Sequence, residues 1–145
     1  MIFNGTDLIL KVSPSDGGTE AKLMHSQNVS LSMNVDTIDI STKDSAGFRD
    51  LLGGQKSFSL SADGLYDFSP TAGTTTDPSD LVTQMLARTA VTFTFTYGQS
   101  LSTGDTYYTG SGFITSFEVS GGVEDAPTYS VSIEGSGAIT QAVQA

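Results

Sequence analysis

Apolar and polar residues alternate with period two through most of this chain, and no other feature constrains its fold so strongly. In the segment 28–35, for example, Val29, Leu31 and Met33 alternate with serine and asparagine. This period places apolar side chains on one face of a β-strand and polar side chains on the other. It predicts about seven strands, near residues 8–12, 19–24, 28–40, 57–63, 91–97, 113–120 and 128–134.

The connections between strands also carry signals. Asp16-Gly17-Gly18 lies between the first two strands and predicts a hairpin there. After Val35 the alternation changes parity, because Ile38 and Ile40 fall on the opposite count. This change predicts one extra residue, and therefore a bulge, near Asp36-Thr37.

One segment carries the signals of a helix. Asp77 is a suitable N-cap, Pro78 suits the first helical position, and Arg88 would lie in the last turn. The predicted apolar stripe consists of Leu81, Val82, Met85 and Leu86. The predicted fold class is mainly β: one domain, residues 1–145, with an antiparallel β-sandwich or partial barrel and one flanking α-helix.

Residues 41–56 lack a strand period and predict a long loop. Loops of this length are usually functional or disordered, and the apolar residues in this one favour order. Apolar groups held outside a core usually mark a contact site, although the loop could instead cover the subunit's own core. The residues expected to make the contact are Lys43, Asp44, Phe48, Arg49, Leu51 and Leu52.

The composition argues against catalysis and against binding of polyanions. The chain has no cysteine, one histidine and none of the common catalytic motifs, so we predict no catalytic residue, no metal site and no cofactor. A net charge of −10 disfavours a surface for phosphates, and no stretch is apolar enough to span a membrane. Two alternatives, calcium at Asp36, Asp39 and Asp44 and a catalytic pair at Glu118 and Glu134, are less favoured than solvated carboxylates.

Two long stretches carry motifs of their own. Residues 36–67 read DTIDISTKDSAGFRDLLGGQKSFSLSADGLYD, and residues 109–137 read TGSGFITSFEVSGGVEDAPTYSVSIEGSG. Together they resemble the signature of bacteriophage major tail tube proteins, a family whose subunits are similar to those of gene transfer agents. Relatives often have Trp where Phe48 and Phe58 stand here, so an aromatic residue is kept at both positions.

The resemblance implies a structural subunit that forms hexameric rings, which stack into a hollow tube for DNA ejection. It implies further copies of the chain, a tape measure protein, and tail tip and tail terminator proteins as partners, with duplex DNA passing through without specific binding and no membrane. It places the protein in the virion tail of a phage or phage-derived particle, after synthesis in the host bacterial cytoplasm. The 41–56 loop would connect stacked rings, and we expect it to be mobile in the free subunit.

The main alternative is a monomeric β-sandwich that binds carbohydrate or acts as an adhesin. Such a module would present an exposed aromatic platform. Here Phe93, Phe95, Phe113 and Phe117 fall on the predicted buried face instead. The pattern therefore favours the structural subunit.

The polar faces of four predicted strands indicate which surface would line the channel. They carry small polar groups and carboxylates without lysine or arginine, whereas the first hairpin shows Lys11, Glu20 and Lys22. A wall without basic residues offers DNA phosphates no counter-charge. The predicted channel-lining residues are Ser30, Ser32, Asn34, Ser59, Ser61, Asp63, Ser116, Glu118, Ser130, Ser132 and Glu134. An ordinary solvent-exposed face is the alternative.

Overall fold

Strands make up most of the described chain. The computed structural model describes residues 4–13, 20–23, 25–68, 75–98 and 101–145. The strands are β1 (Leu8–Val12), β2 (Ala21–Leu23), β3 (Ser26–Asp39), β4 (Leu51–Leu65), β5 (Thr75–Thr76), β6 (Val91–Tyr97), β7 (Thr106–Ser120) and β8 (Thr128–Val143). Within these residues the helix α1 (Pro78–Ala87) lies between β5 and β6, and short 3-10 helices span Gly5–Asp7 and Lys43–Ser45.

All eight strands belong to one sheet, in the order β3-β4-β8-β7-β6-β1-β2-β5. Neighbouring strands are antiparallel except β2 and β5. The sheet curls over, because β3 comes into contact with β1 although four strands separate them in the sheet order. The predicted mainly β fold with one helix is confirmed, and its two layers are parts of one continuous curled sheet.

The apolar faces of the curled sheet and one helix residue form a single core. Its buried members are Leu10, Val12, Leu23, Phe58, Leu60, Ala62, Leu81, Val91, Phe93, Ile114, Tyr129, Val131 and Ile133. Glycines on β7 and β8 make room for the rings: a Cβ on Gly135 would overlap the ring of Phe58, and a Cβ on Gly110 would lie 3.2 Å from Phe93 Cζ. The two rings lie 5.7 Å apart between centroids.

The first hairpin and the helix form where they were predicted. β1 and β2 pair antiparallel, with Lys11 opposite Lys22, while the Asp16-Gly17-Gly18 turn lies outside the described residues. α1 begins at Pro78 and ends at Ala87. Asp77 occupies the N-cap position, but its side chain makes no capping hydrogen bond; burial, and then the neighbouring carboxylates of Asp80 and Asp67, raise its pKa.

The predicted stripe of α1 is wrong at one of its four positions. Leu81 is fully buried against the sheet, whereas Leu86 is 76% exposed. Five residues separate them, so Leu86 lies about 140° around the helix from Leu81. Val82 and Met85 are half-buried at the edges of the contact.

The predicted loop 41–56 is shorter than expected, because its second part is strand. β4 begins at Leu51, which pairs with Asp39. Val35 pairs with Lys56 and Thr37 with Gly53, so two β4 residues face Asp36 alone. The predicted bulge is therefore present, but its extra residue lies on β4, where it hides the alternation of 51–56.

Since the extra residue lies on β4, the alternation of β3 continues unbroken past the bulge. Ile38 therefore pairs with Leu52 on the face opposite Val35, rather than returning to Val35's face as predicted. The two side chains of this pair are 52% and 53% exposed. The far end of β3 thus contributes nothing to the core.

Another of the irregular points in the sheet, which the sequence did not reveal, is a bulge on β7. Ile114 pairs with Ile133 and Ser116 with Ser132, so Thr115 is the extra residue. The bulge places Ile114 in the core and leaves Phe113 43% exposed. The prediction that Phe113 is buried is therefore wrong, whereas Phe93 is buried and Phe95 and Phe117 are partly buried against the core.

Candidate functional site

The predicted channel-lining residues come together on one face of four adjacent strands. Their cross-strand pairing in β3-β4-β8-β7 arranges them in rows, since paired residues share a face of the sheet. The rows are Asn28, Asp63, Ser130 and Glu118; Ser30, Ser61, Ser132 and Ser116; Ser32, Ser59, Glu134 and Phe113; and Asn34 with Ser57. We call this surface the serine face.

Hydrogen bonds between strands tie the side chains of the serine face together. Asn28 Nδ2 donates to Asp63 Oδ1 at 2.9 Å, and the hydroxyls of Ser30 and Ser61 share a hydrogen bond. Thr115, from the β7 bulge, donates to the carbonyl of Ser132. Because these side chains are short and polar, they project little from the sheet and make its surface hydrophilic.

The serine face is negatively charged. Its ionisable groups are the carboxyls of Asp63, Glu118 and Glu134. Lys56, the basic residue of β4, pairs with Val35 and so lies on the opposite face of the ladder. The other five basic residues are at 11, 22, 43, 49 and 88, all outside the four rows. The arrangement gives phosphates no basic partner on this face.

Beyond this face, β3 and β4 continue as a projecting hairpin. β4 pairs with β8 only from Ser59 onward, so the segment 33–57 contains strand that pairs within the hairpin alone. We call residues 33–57 the arm. Its exposed large apolar side chains are Met33, Val35, Ile38, Ile40, Phe48, Leu51 and Leu52.

The loop at the end of the arm, residues 40–50, has a defined structure of its own. Ser45 donates to Asp50 Oδ2 at 2.6 Å, and the backbone N–H of Asp50 donates to Ser41 Oγ at 2.7 Å. Lys43–Ser45 forms a 3-10 turn with a capping box at Thr42. The hydrogen bonds of this loop conformation are therefore made within a single copy. The mobility of the loop before assembly stays a prediction.

The six residues predicted for the contact site all lie at the end of the arm. Lys43 and Asp44 are in the 3-10 turn, and Leu51 and Leu52 open β4. The remaining two are Phe48, which is 78% exposed, and Arg49, whose Nε lies 3.4 Å from Asp39 Oδ2. Hydrogen bonds from Ser41, and then from Arg49, lower the pKa of Asp39.

Sequence reasoning missed two apolar surfaces. Met33 and Val35 follow the alternation of core residues but are 51% and 55% exposed, since the core ends before them. Val123, in the turn between β7 and β8, is 94% exposed. Its signal was available: an isolated valine in the segment 121–127, among glycine and acidic residues, has no strand period to bury it.

The described residues offer no other site chemistry. They contain no group of three or more potential metal ligands close enough to hold an ion. Of the three aspartates considered as calcium ligands, Asp39 pairs with Arg49. In the same part of the chain, no helix has the length and apolar character needed to cross a membrane.

Comparison with known proteins identifies the family. The family model for phage tail tube proteins matches residues 2–141. No curated protein sequence matches the chain.

Solved structures share the fold. The chain is similar to one in the virion of a native gene transfer agent particle, with a TM-score of 0.78, 21% identity, and coverage of 98% of this chain and 100% of that one. A chain from the tail of an empty gene transfer agent particle, refined with C6 symmetry, gives a TM-score of 0.76 at 23% identity, covering 99% and 100%. The SPP1 tail tube gives 0.73 at 15% identity, covering 99% and 80%.

Proposed function

The chain belongs to the phage tail tube protein family, a family of structural proteins, and we propose on that premise that six copies form a ring around a channel lined by the serine face. Rings then stack through the arm into a tube that conducts DNA. The gene transfer agent tail of the same fold was refined with C6 symmetry, which supports six copies per ring. The tape measure, tail tip and tail terminator proteins are the further partners expected for such a tube.

The edges of the serine face support the ring. β3 is the edge strand of the sheet, and over the described residues β7 pairs with β6 only as far as Gly112. Residues 113–120 of β7 therefore have a free edge on the side away from β8. Free edges are templates for pairing with another chain, so β3 of one copy can pair with β7 of the next.

The size of the resulting barrel suits the proposed passage. Four strands from each of six copies give a closed barrel of about 24 strands, and strands 4.8 Å apart and tilted about 40° make a backbone circle roughly 48 Å wide. Side chains narrow the bore to about 40 Å, and the short ones of the serine face leave room for duplex DNA. Since basic contacts are what bind DNA phosphates, a carboxylate-bearing wall favours free passage.

One observation carries the proposal: the eleven residues predicted to line the channel all lie on the serine face. A free strand edge bounds this face on each side. The test replaces Glu118 and Glu134 by lysine in assembled tubes. We expect tubes to form and to retain duplex DNA at low salt, with release as salt rises, because each new phosphate contact releases counterions. Retention is measured by co-sedimentation of labelled DNA with the tubes.

A matched control separates new positive charge from lost negative charge. The Glu118→Gln and Glu134→Gln double variant keeps size and hydrogen bonding, so its tubes should retain as little DNA as the unmodified ones. Lysine tubes that retain no more DNA than glutamine tubes at low salt would contradict the channel assignment.

A further inference from the structure

The two ends of the serine face carry different loops. The arm loop, residues 40–50, joins β3 to β4, and the turn 121–127 joins β7 to β8. Leu65, at the far end of β4 from the arm loop, pairs with Thr128 beside the turn. The 15 residues of β4 span about 46 Å, so the arm loop and the turn lie at opposite ends of the subunit. Stacked rings would bring one such end of each copy to the other end of the next.

We propose that the turn 121–127 is the docking surface for the arm loop of a second copy in the adjacent ring. This inference rests on the proposed function and names the surface that receives the arm. The contact is heterologous: one copy gives its arm loop and accepts another at its turn, so it repeats without closing.

Apolar exposure marks both surfaces. Val123 is 94% exposed at the tip of the turn, and Phe48 is 78% exposed on the arm loop. Each of these residues lies in the loop that connects two paired strands, beyond the part of the sheet that covers the core. A phenylalanine against a valine removes both from water, which contributes roughly 25 cal/mol per Å² of apolar surface buried.

The arm loop offers a cation to the acidic turn, although its own charges balance, with Lys43 and Arg49 against Asp44 and Asp50. The turn carries Glu124 and Asp125 and, like the rest of 121–127, no basic residue. On the arm loop Asp39 holds Arg49 and Asp50 accepts from Ser45, whereas Lys43 projects from an exposed turn. Lys43 is therefore the cation available to the acidic turn, and such pairing fixes register more than it adds affinity.

Both loops have a defined conformation in the single copy. The turn is closed by a hydrogen bond from the N–H of Asp125 to the carbonyl of Gly122, with Glu124 in the left-handed region at φ 69°. The arm loop is held by Ser41, Ser45 and Asp50. The conformations that dock can therefore form within a single copy, without hydrogen bonds from a partner.

Charge reversal with rescue tests the pairing. Lys43→Glu alone, or Glu124→Lys with Asp125→Lys, should shift the protein from tubes to single rings, and the triple variant should recover tubes. Arg88→Glu, a charge reversal at the C-cap of α1, is the control and should leave tube length unchanged. Ring and tube fractions are measured by sedimentation and negative-stain microscopy. Reversals without effect on tube length, or a folded triple variant without recovery, would overturn the inference.

Crosslinking gives a second test, because the chain has no cysteine. A Phe48→Cys and Val123→Cys variant, oxidised after assembly, should give a ladder of covalent multimers on a denaturing gel, whereas each single variant should not. Tubes that form but give no ladder would refute this docking and leave the ring intact. Protein that forms neither rings nor tubes before any substitution would instead refute the proposed function.

Discussion

A single glycine makes room for a buried aromatic ring in the core. The ring of Phe58 lies over the backbone of Gly135, where a Cβ would overlap ring atoms. Phe58 is itself buried against Phe93, so its ring has no free space to move into. Gly53 lies in β4, as Phe58 does, but a Cβ added to Gly53 would have no neighbouring atom within 4 Å.

Gly135→Ala should therefore destabilise the subunit by about 1–3 kcal/mol, the usual effect of overpacking a core. Gly53→Ala should be neutral or slightly stabilising, since it only restricts the unfolded chain. The free energy of unfolding from denaturant titration decides between them. Equal stability of the two variants would contradict this packing.

The buried Tyr129 makes the stability of the folded subunit depend on pH in the alkaline range. Burial, with a smaller effect from the Asp63 carboxylate, raises the pKa of the Tyr129 hydroxyl above its ordinary value. The folded state thus favours the neutral phenol, so this stabilisation is complete below the unfolded pKa of about 10 and declines as pH rises above it.

We expect Tyr129→Phe to flatten the alkaline loss of stability. Unfolding midpoints measured from pH 8 to pH 11 should fall more steeply for the unmodified protein than for the variant. The comparison uses slopes, because removal of the hydroxyl can also change stability at neutral pH. Parallel slopes would show that Tyr129 has no part in the transition.

In α1, Leu81 is the one residue of the predicted stripe that is fully buried. Leu81 is fully buried and Leu86 is 76% exposed, although both belong to the predicted stripe. Leu81→Ala should cost about 2–5 kcal/mol, as for other buried leucines, and Leu86→Ala should change stability little. Thermal unfolding of both variants checks this, and an unchanged melting temperature for Leu81→Ala would exclude the packing.

The arm is the element whose role depends on assembly. Replacing Phe48 and Leu51 by serine should leave a folded subunit that stacks poorly, because both side chains are exposed in the single copy. Leu86→Ser is the matched control for loss of an exposed apolar group. Tube length by microscopy and melting temperature are measured together; normal tubes from the double variant would show that the arm does not join rings.

Sequence patterns predicted most elements and the place of one bulge, but not which strand carries its extra residue, nor the other irregular points. The alternation located every strand but β5, though not the full length of β4, β7 and β8. It also identified the outward side chains of the serine face, because parity along a strand is a local property. The extra residue at Thr115 could not be read, since Phe113 and Phe117 keep the same parity across it. The exposure of Met33 and Val35 could not be predicted either, because alternation shows which face of a strand is apolar but not whether another part of the protein covers it.

In the whole molecule, the serine face, its two strand edges and the two ends of the subunit each have a place in the proposed assembly. Two free edges, one long polar face and two complementary ends fit a subunit built to repeat sideways around a ring and lengthwise along a tube. The family and the fold support assembly into stacked rings.

A cryo-EM map of the assembled tube would show where the serine face lies. We expect six copies per ring, β3 of one copy paired with β7 of the next, and Glu118 and Glu134 facing the bore. A map that places both glutamates on the outer wall, or that pairs copies through other edges, would refute this arrangement.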